Sequence, residues 1–433
     1  ISQFPDSLIL NFPTIQEKTL TMNGYTGKIL KVDLTTGTFE VEEQPESFYR
    51  RYMGGSGMVG YYLNKEIPKG ADPLGPENVL VVAGGPMTGV PVGGAGRNAV
   101  GAKAPLTGGY GEADVGGFFG AEMRRAGFDA VVVRGKAKSP VYLWIHDDPD
   151  TKGPAYELRP ADHLWGTKTL DCQAKVREEL GEPRARLAMI GPGGEKLIRF
   201  ACVINDVKHA AGRTGLGAVM GSKNLKAIVA RGSETPPLAD KDGVRDLARW
   251  MAQNWKERSL GMHELGTNGG LEGLSAGGRL PTRNFQDGQF EGAAEIGGQA
   301  LRDKITIDMG GCYACPINCK RVCKVDDDEY KADPEYGGPE YETVGSFGSN
   351  CGIDDIRAVA VANELCNAYG VDTISTGMMV SFAMECYENG LLTKEETGGL
   401  DLSFGNAKEM VELTRMICER EGIGDLLAQG PQA

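Results

Sequence analysis

The stretch "GSETPPLADKDG", residues 232–243, divides the chain into two kinds of text. Its Pro-Pro pair cannot continue a helix or a central strand, and the Ser, Asp and Gly around it are turn formers. Upstream, short apolar runs are bounded by Gly, Pro or Asp. They include "NVLVVAGGP" (78–86), "AVVVRGK" (130–136), "PVYLWIHDD" (140–148), "ARLAMIGPGGE" (185–195) and "LKAIVARG" (225–232). Each reads as a buried strand, and "GKILKVDLTTGTFEVEE" (27–43) alternates around a Thr-Gly turn as a hairpin does. Helical text such as "TLDCQAKVREELG" (169–181) is sparse there.

Downstream the period changes. In "GVRDLARWMAQNWKERS" (243–259), "DDIRAVAVANELCNAYG" (354–370), "ISTGMMVSFAMECYENG" (374–390) and "NAKEMVELTRMICEREG" (406–422), apolar residues recur every three or four positions. The reading is an α+β chain: a Gly-rich β-sheet domain over residues 22–232, then a mostly α-helical domain over 243–433. Residues 1–21 precede "MNGYTGKIL" and read as an upstream segment or tag rather than part of the fold.

A length of 433 residues calls for two or three domains. The formal charge of −13 argues against nucleic acid as a partner, because phosphate binding needs clustered Lys and Arg. No apolar run is long enough for a membrane span. The ten cysteines lack a secretory context, so the expected setting is a reducing one, the cytoplasm by default. Cys366 and Cys386 fall in helical patterns and are expected to be buried free thiols.

Four cysteines crowd into "GGCYACPINCKRVC", residues 310–323. Cys312, Cys315 and Cys319 form C-x2-C-x3-C, with Cys323 four residues on, and Pro316 keeps the loop from becoming a regular helix. Thiolates this dense suit an iron–sulfur cubane, each iron of which takes one protein sulfur. Zinc is the competitor, but its structural sites favour two separated pairs or Cys/His mixtures, and no histidine lies nearby in sequence. Spacing leaves the fourth ligand open between Cys323 and a distant cysteine.

Glycine is dense in three patches: "GGSGMVG" (54–60), residues 84–120, and "HAAGRTGLGAVMGSKNLKA" (209–227). None matches a phosphate-loop or dinucleotide fingerprint fully. Tight turns account for any one patch alone. Together, with Arg97 and Arg213 embedded, they favour a large phosphate-bearing ligand held by backbone amides and guanidinium groups. Glu340 and Glu342 in "GGPEYETVG" follow a Gly-Pro turn, and with Tyr341 between them the pair is expected to face opposite ways in an extended segment. Asp372, with Ser375 three residues on, reads as a helix N-cap. His146, His163 and His263 read as structural or surface residues, and Cys351 as a buried thiol.

Six stretches carry a resemblance: "GYTGKILKVDLTTG" (24–37), "GRNAVGAKAPLTGGYGEADVGG" (96–117), "AAGRTGLGAVMGSKNLKAI" (210–228), "CYACPINC" (312–319), "GPEYETVGSFGSNCGI" (338–353) and "NELCNAYGVDTISTG" (363–377). In this order they resemble the aldehyde:ferredoxin oxidoreductase family. The resemblance implies a tungsten (or molybdenum) bis-pterin seated on the β-rich domain, a 4Fe-4S cluster, and magnesium bridging the pterin phosphates. It implies that a small aldehyde is oxidised to the acid, with electrons leaving for ferredoxin or another electron-transfer protein. A homodimer or a complex with electron-transfer subunits would serve that exit. Rivals are a low-potential reductase of the same family acting on an acid or aromatic thioester, a non-catalytic electron-relay subunit and, more distantly, a zinc-stapled binding protein.

Carried over residue by residue, Arg97 meets the pterin phosphates, Gly116 gives a backbone contact, and Asp114 and Ala210 offer opposing carbonyls to the magnesium. Arg213 and Asp372 border the pterin. Cys312, Cys315 and Cys319 are three of four cluster ligands, and Glu340 or Glu342 handles the proton. Asp114 stands where Asn is usual. His209 replaces an expected Arg and would serve a phosphate only if charged. A third domain, with the fourth cluster cysteine, is expected by resemblance beyond the span of this chain.

Overall fold

The computed structural model describes residues 22–432 except 149 and 152, so the expectation for 1–21 lies outside the described residues. Twelve strands of the first region form two six-stranded sheets. The first sheet is built from β1 (Lys28–Asp33), β2 (Thr38–Glu43), β3 (Leu80–Gly84), β4 (Asn98–Lys103), β5 (Tyr110–Val115) and β6 (Ala130–Arg134), in the order β2-β1-β6-β3-β4-β5. The second comprises β7 (Val141–Asp147), β8 (Pro154–Pro160), β9 (Arg186–Met189), β10 (Val203–Asn205), β11 (His209–Ala211) and β12 (Leu225–Arg231), in the order β11-β10-β9-β12-β7-β8. β1 and β2 pair antiparallel as the Thr-Gly turn predicts.

The apolar runs have no polar alternation because both faces of each sheet are covered. Val131 and Val133 of β6 point into a core shared with Ile228 and Ala230 of β12, so the sheets lie face to face. Ala130 and Val132 point the other way, onto the helices Glu46–Tyr52 and Ser56–Glu66 through Phe48, Tyr49, Met58 and Tyr62. Ala227 and Val229 face a third core, closed by the helix Thr169–Leu180 and the helical region. Each such valine, fully buried, contributes on the order of 1.5–3 kcal/mol. Helices are more numerous in this half than its sequence indicates, because short connections such as Phe119–Arg125 and Leu216–Ser222 carry no long period.

The Pro-Pro segment runs along the first region: the Pro237 carbonyl accepts the Gly24 N–H at 2.7 Å, and Leu238 packs on Val90, Val92 and Ala95. Asp240 caps the helix Lys241–Leu265, which bends at Ser259 and seats Val244 and Met251 on the same loop. Beyond it the helices Ile356–Tyr369, Thr373–Glu388 and Ala407–Glu419 pack over the second sheet. Cys366 is buried as expected, whereas Cys386 is only half-buried near the end of its helix. No helix among the described residues is long and apolar enough to cross a membrane.

Two further strands, β13 (Thr306–Gly310) and β14 (Lys320–Cys323), pair antiparallel with Gly310 opposite Lys320. The cysteine-rich segment is the tip of this hairpin.

Candidate functional site

Edge strands meet where the sheets meet. β5 borders the first sheet, β11 borders the second, and the two lie side by side. An edge strand keeps one row of backbone donors and acceptors free for another partner. Asp114 and Ala210 sit on these edges, both exposed, beside a cavity of about 330 Å³ between the sheet region and the helical region. The cavity also receives Arg213, Lys208, Lys320, Glu340, Glu342 and Asp372. The structure thus gathers six sequence candidates from four separate segments: Asp114, Ala210, Arg213, Glu340, Glu342 and Asp372.

The two glutamates are not on opposite faces. The segment turns helical at Tyr341, so Glu340 is the residue before the helix Tyr341–Phe347 and Glu342 lies in its first turn, and both line the cavity. Sequence reasoning took the Gly-Pro turn as the start of extended chain, whereas here it leads into a helix N-terminus. The environments of the pair differ. The Thr267 hydroxyl donates to Glu340 Oε2 at 2.6 Å, and Lys320 Nζ stands 3.0 Å from Oε1. Burial alone would raise the Glu340 carboxyl, but Lys320, the Thr267 hydroxyl and Arg321 outweigh it and hold the group below the usual carboxylate range. Among the described residues Glu342 makes no side-chain hydrogen bond or ion pair.

Asp372 caps the helix Thr373–Glu388. Its carboxylate accepts the N–H groups of Ile374 at 3.2 Å and Ser375 at 3.0 Å and the Ser375 hydroxyl at 2.6 Å. Burial pushes its carboxyl up, opposed by Ser375 and by Arg213, whose Nε stands 3.7 Å away. Cap and cavity wall are the same residue.

Behind the cavity lies the hairpin tip. Tyr313 N–H donates to Gly117 O at 3.1 Å, and its hydroxyl donates to Gly89 O at 3.1 Å. His263 Nδ1 lies 2.7 Å from Ile317 O, so the end of the long helix braces the loop from the other side. Ala314 and Asn318 adopt positive φ as the chain winds around the thiols. Burial raises the Cys319 thiol, and negative charge on Glu340, Cys312 and Cys315 raises it further, so these sulfurs share one locality. Yet no three His, Cys, Asp or Glu side chains among the described residues are placed to hold one metal ion.

Cys323 stands apart from the other three. It is buried in β14, its sulfur 3.8 Å from the Thr306 hydroxyl, and burial pushes its thiol up to about 11. Gly116 lies against the loop: a Cβ there would stand 3.0 Å from Cys312 Sγ, so a larger residue would press the sulfur aside by a few tenths of an ångström. The buried His209 imidazole touches the same sulfur at 4.0 Å. Burial, followed by the charges of Lys320, Lys208, Arg186 and Arg97, holds His209 well below the ordinary histidine range, hence neutral. Arg97 is exposed, lies outside the cavity lining and forms no ion pair among the described residues.

Asn205 donates to Asn98 Oδ1 at 3.0 Å and Gly116 O at 3.1 Å, and both amides are buried away from the cavity lining. Free sheet edges, three cations and a soft thiol loop are groups that would suit a pterin with phosphates and an iron–sulfur cluster. Sequence reasoning missed Lys208, Lys320 and Thr267. A lysine following a cysteine does not announce a partner twenty residues on, and Thr267 sits in "GTNGG", which reads as a plain turn.

Comparison with known proteins gives the same direction. The family model described as aldehyde ferredoxin oxidoreductase, N-terminal domain, matches residues 29–232, and that for domains 2 & 3 of the same enzymes matches 244–433. The chain belongs to the aldehyde ferredoxin oxidoreductase family. It is 41% identical over 413 residues to the tungsten-containing aldehyde ferredoxin oxidoreductase of Pyrococcus furiosus, covering 94% of this chain and 66% of that protein. The Pyrococcus abyssi counterpart is 42% identical, with 94% and 67% covered. A Pyrococcus furiosus aliphatic sulfonate oxidoreductase, WOR-like subunit, is 36% identical, with 94% and 66% covered. The active-site complex BamBC of benzoyl coenzyme A reductase, solved with 1,5-dienoyl-CoA, superposes with a TM-score of 0.79 at 27% identity. That match covers 94% of this chain and 62% of the other. The chain thus spans about two thirds of the length of these relatives.

Proposed function

We propose that this protein is a tungsten (or molybdenum) pterin, iron–sulfur oxidoreductase that oxidises a small aldehyde to its carboxylic acid. Electrons leave through a 4Fe-4S cluster to ferredoxin or a similar carrier. One observation supports this most strongly: a three-thiol hairpin tip and an oriented carboxylate stand on either side of Lys320, beside two free sheet edges.

In this reading Cys312, Cys315 and Cys319 hold the cluster. The edge-strand backbone at Asp114 and Ala210 receives the magnesium, and Arg97, Gly116, His209, Arg213 and Asp372 border the pterins. His209 contributes as a neutral contact to Cys312 rather than as a phosphate cation. The chemistry supplied by the bound groups is a two-electron oxidation followed by relay of single electrons. The chain's own part is placement and proton handling. Glu340 is an anion oriented by Thr267 and Lys320, so it is the proton acceptor; a base held by a third group is the arrangement general-base catalysis requires. Glu342 faces the same space unheld and borders the substrate.

The likeness to the benzoyl-CoA reductase complex supports a second reading, a low-potential reductase acting on an acid or aromatic thioester. Anaerobic assay decides between them. Aldehyde-dependent reduction of a viologen dye is expected, lowered roughly a hundredfold or more in Glu340→Gln. Dye-driven reduction of an aromatic thioester with no aldehyde activity supports the second reading, and iron without tungsten or molybdenum supports an electron-relay subunit.

A further inference from the structure

We propose that Lys320 is a positioning residue that links the thiol loop electrostatically to Glu340. The inference rests on the proposed function and names the residue that joins its two halves.

Lys320 is the first residue of β14 and follows Cys319 directly. Successive strand residues point to opposite sides. Arg321 turns toward the long helix, donating to His263 O at 2.8 Å, Met262 O at 3.3 Å and Cys319 O at 2.6 Å. Lys320 turns into the cavity, where its ammonium meets Glu340 Oε1 at 3.0 Å. Only 19% of its side chain is exposed. A lysine ordinarily carries its charge out to water, and confining it costs free energy that a partner must offset. The Lys320 backbone follows Cys319 directly and its ammonium reaches the Glu340 carboxylate, so both anionic groups lie beside it. One cation therefore serves two anionic groups: the carboxylate and the thiol loop.

The second hold on Glu340 is independent. Thr267 donates to Oε2 at 2.6 Å and its oxygen accepts the Tyr341 N–H at 2.9 Å; Asn268 donates to Pro339 O at 2.9 Å. Thr267 thus orients Glu340 without adding charge, whereas Lys320 does both. A fixed positive charge beside the loop favours an added electron there, because Coulomb attraction in a partly buried site is weakly screened. Removing that charge must lower the reduction potential of a cluster on the loop. Removing the Thr267 hydroxyl must not.

The test uses the anaerobically purified protein and its Lys320→Met, Lys320→Gln, Lys320→Arg and Thr267→Val variants. Its readouts are an EPR-monitored redox titration and steady-state kinetics. We expect a more negative cluster potential in Lys320→Met and Lys320→Gln, with kcat reduced about tenfold or more and KM nearly unchanged. Lys320→Arg restores both readouts. Thr267→Val lowers kcat alone. An unchanged potential in cluster-loaded Lys320→Met and Lys320→Gln overturns the inference while leaving the proposed function standing. A wild-type protein that gives no iron–sulfur signal overturns both.

Discussion

The two walls of the cavity are built on opposite principles. The sheet-side wall presents Asp114 and Ala210 on edge strands, where the free groups are backbone and the side chains are exposed. The helical wall presents Glu340, Glu342 and Asp372 at helix N-termini, where the side chains themselves are the working groups. A backbone wall tolerates changes of residue, provided the strand remains. A side-chain wall does not. The thiol hairpin, which belongs to the helical side, joins the two through Tyr313 on Gly117 and Gly89.

The largest effect expected from this contrast concerns the hairpin. Cys315→Ser should abolish iron binding and activity, whereas Cys323→Ser should retain iron, because Cys323 packs in β14 away from the other thiols. Iron per chain measures the difference, and equal loss in both variants would break the distinction. Next comes the carboxylate pair. Glu340→Gln should lower kcat by roughly 10²–10⁴, the usual worth of a general base. Glu342→Gln should cost less than about tenfold, since no side-chain hydrogen bond or ion pair among the described residues orients Glu342. Reversed magnitudes would move the proton-accepting role to Glu342.

A smaller effect is a pH dependence. The Glu340 carboxyl is lowered, so the anion that accepts the proton persists to acid pH and is lost only as pH falls through the lowered value. The acid limb of kcat should therefore lie below the usual carboxylate range in the wild type. It should move toward higher pH in Thr267→Val, which removes a hydrogen bond to the anion. Smallest are the stability effects. Asp372→Ala should cost about 1 kcal/mol by chemical denaturation through loss of the cap. Asp114→Asn should stay within about 0.5 kcal/mol, as an exposed side chain on an edge strand does. A larger loss at Asp114 than at Asp372 would erase the contrast between the walls.

Much of the base was legible in the sequence because its chemistry is local. Continuous runs such as "LVVAG" and "AIVAR" report strands covered on both faces, and the Pro-Pro segment reports the change of period. The thiol loop was legible for the same reason: its spacing is a property of one segment. What joins the loop to the cavity was not. Lys320 acquires its role only when Glu340 is folded against it, and Thr267 only when a helix end delivers it there. Opposite facing of Glu340 and Glu342 fails on two counts: residues two apart in an extended segment share a face, and a Gly-Pro turn carries no sign of the helix that follows.

Metal content and visible spectrum of the anaerobically purified protein bear on the account most directly. A brown protein with about four iron and one tungsten or molybdenum per chain is the expected result. A colourless protein holding zinc, or no metal at all, would contradict it.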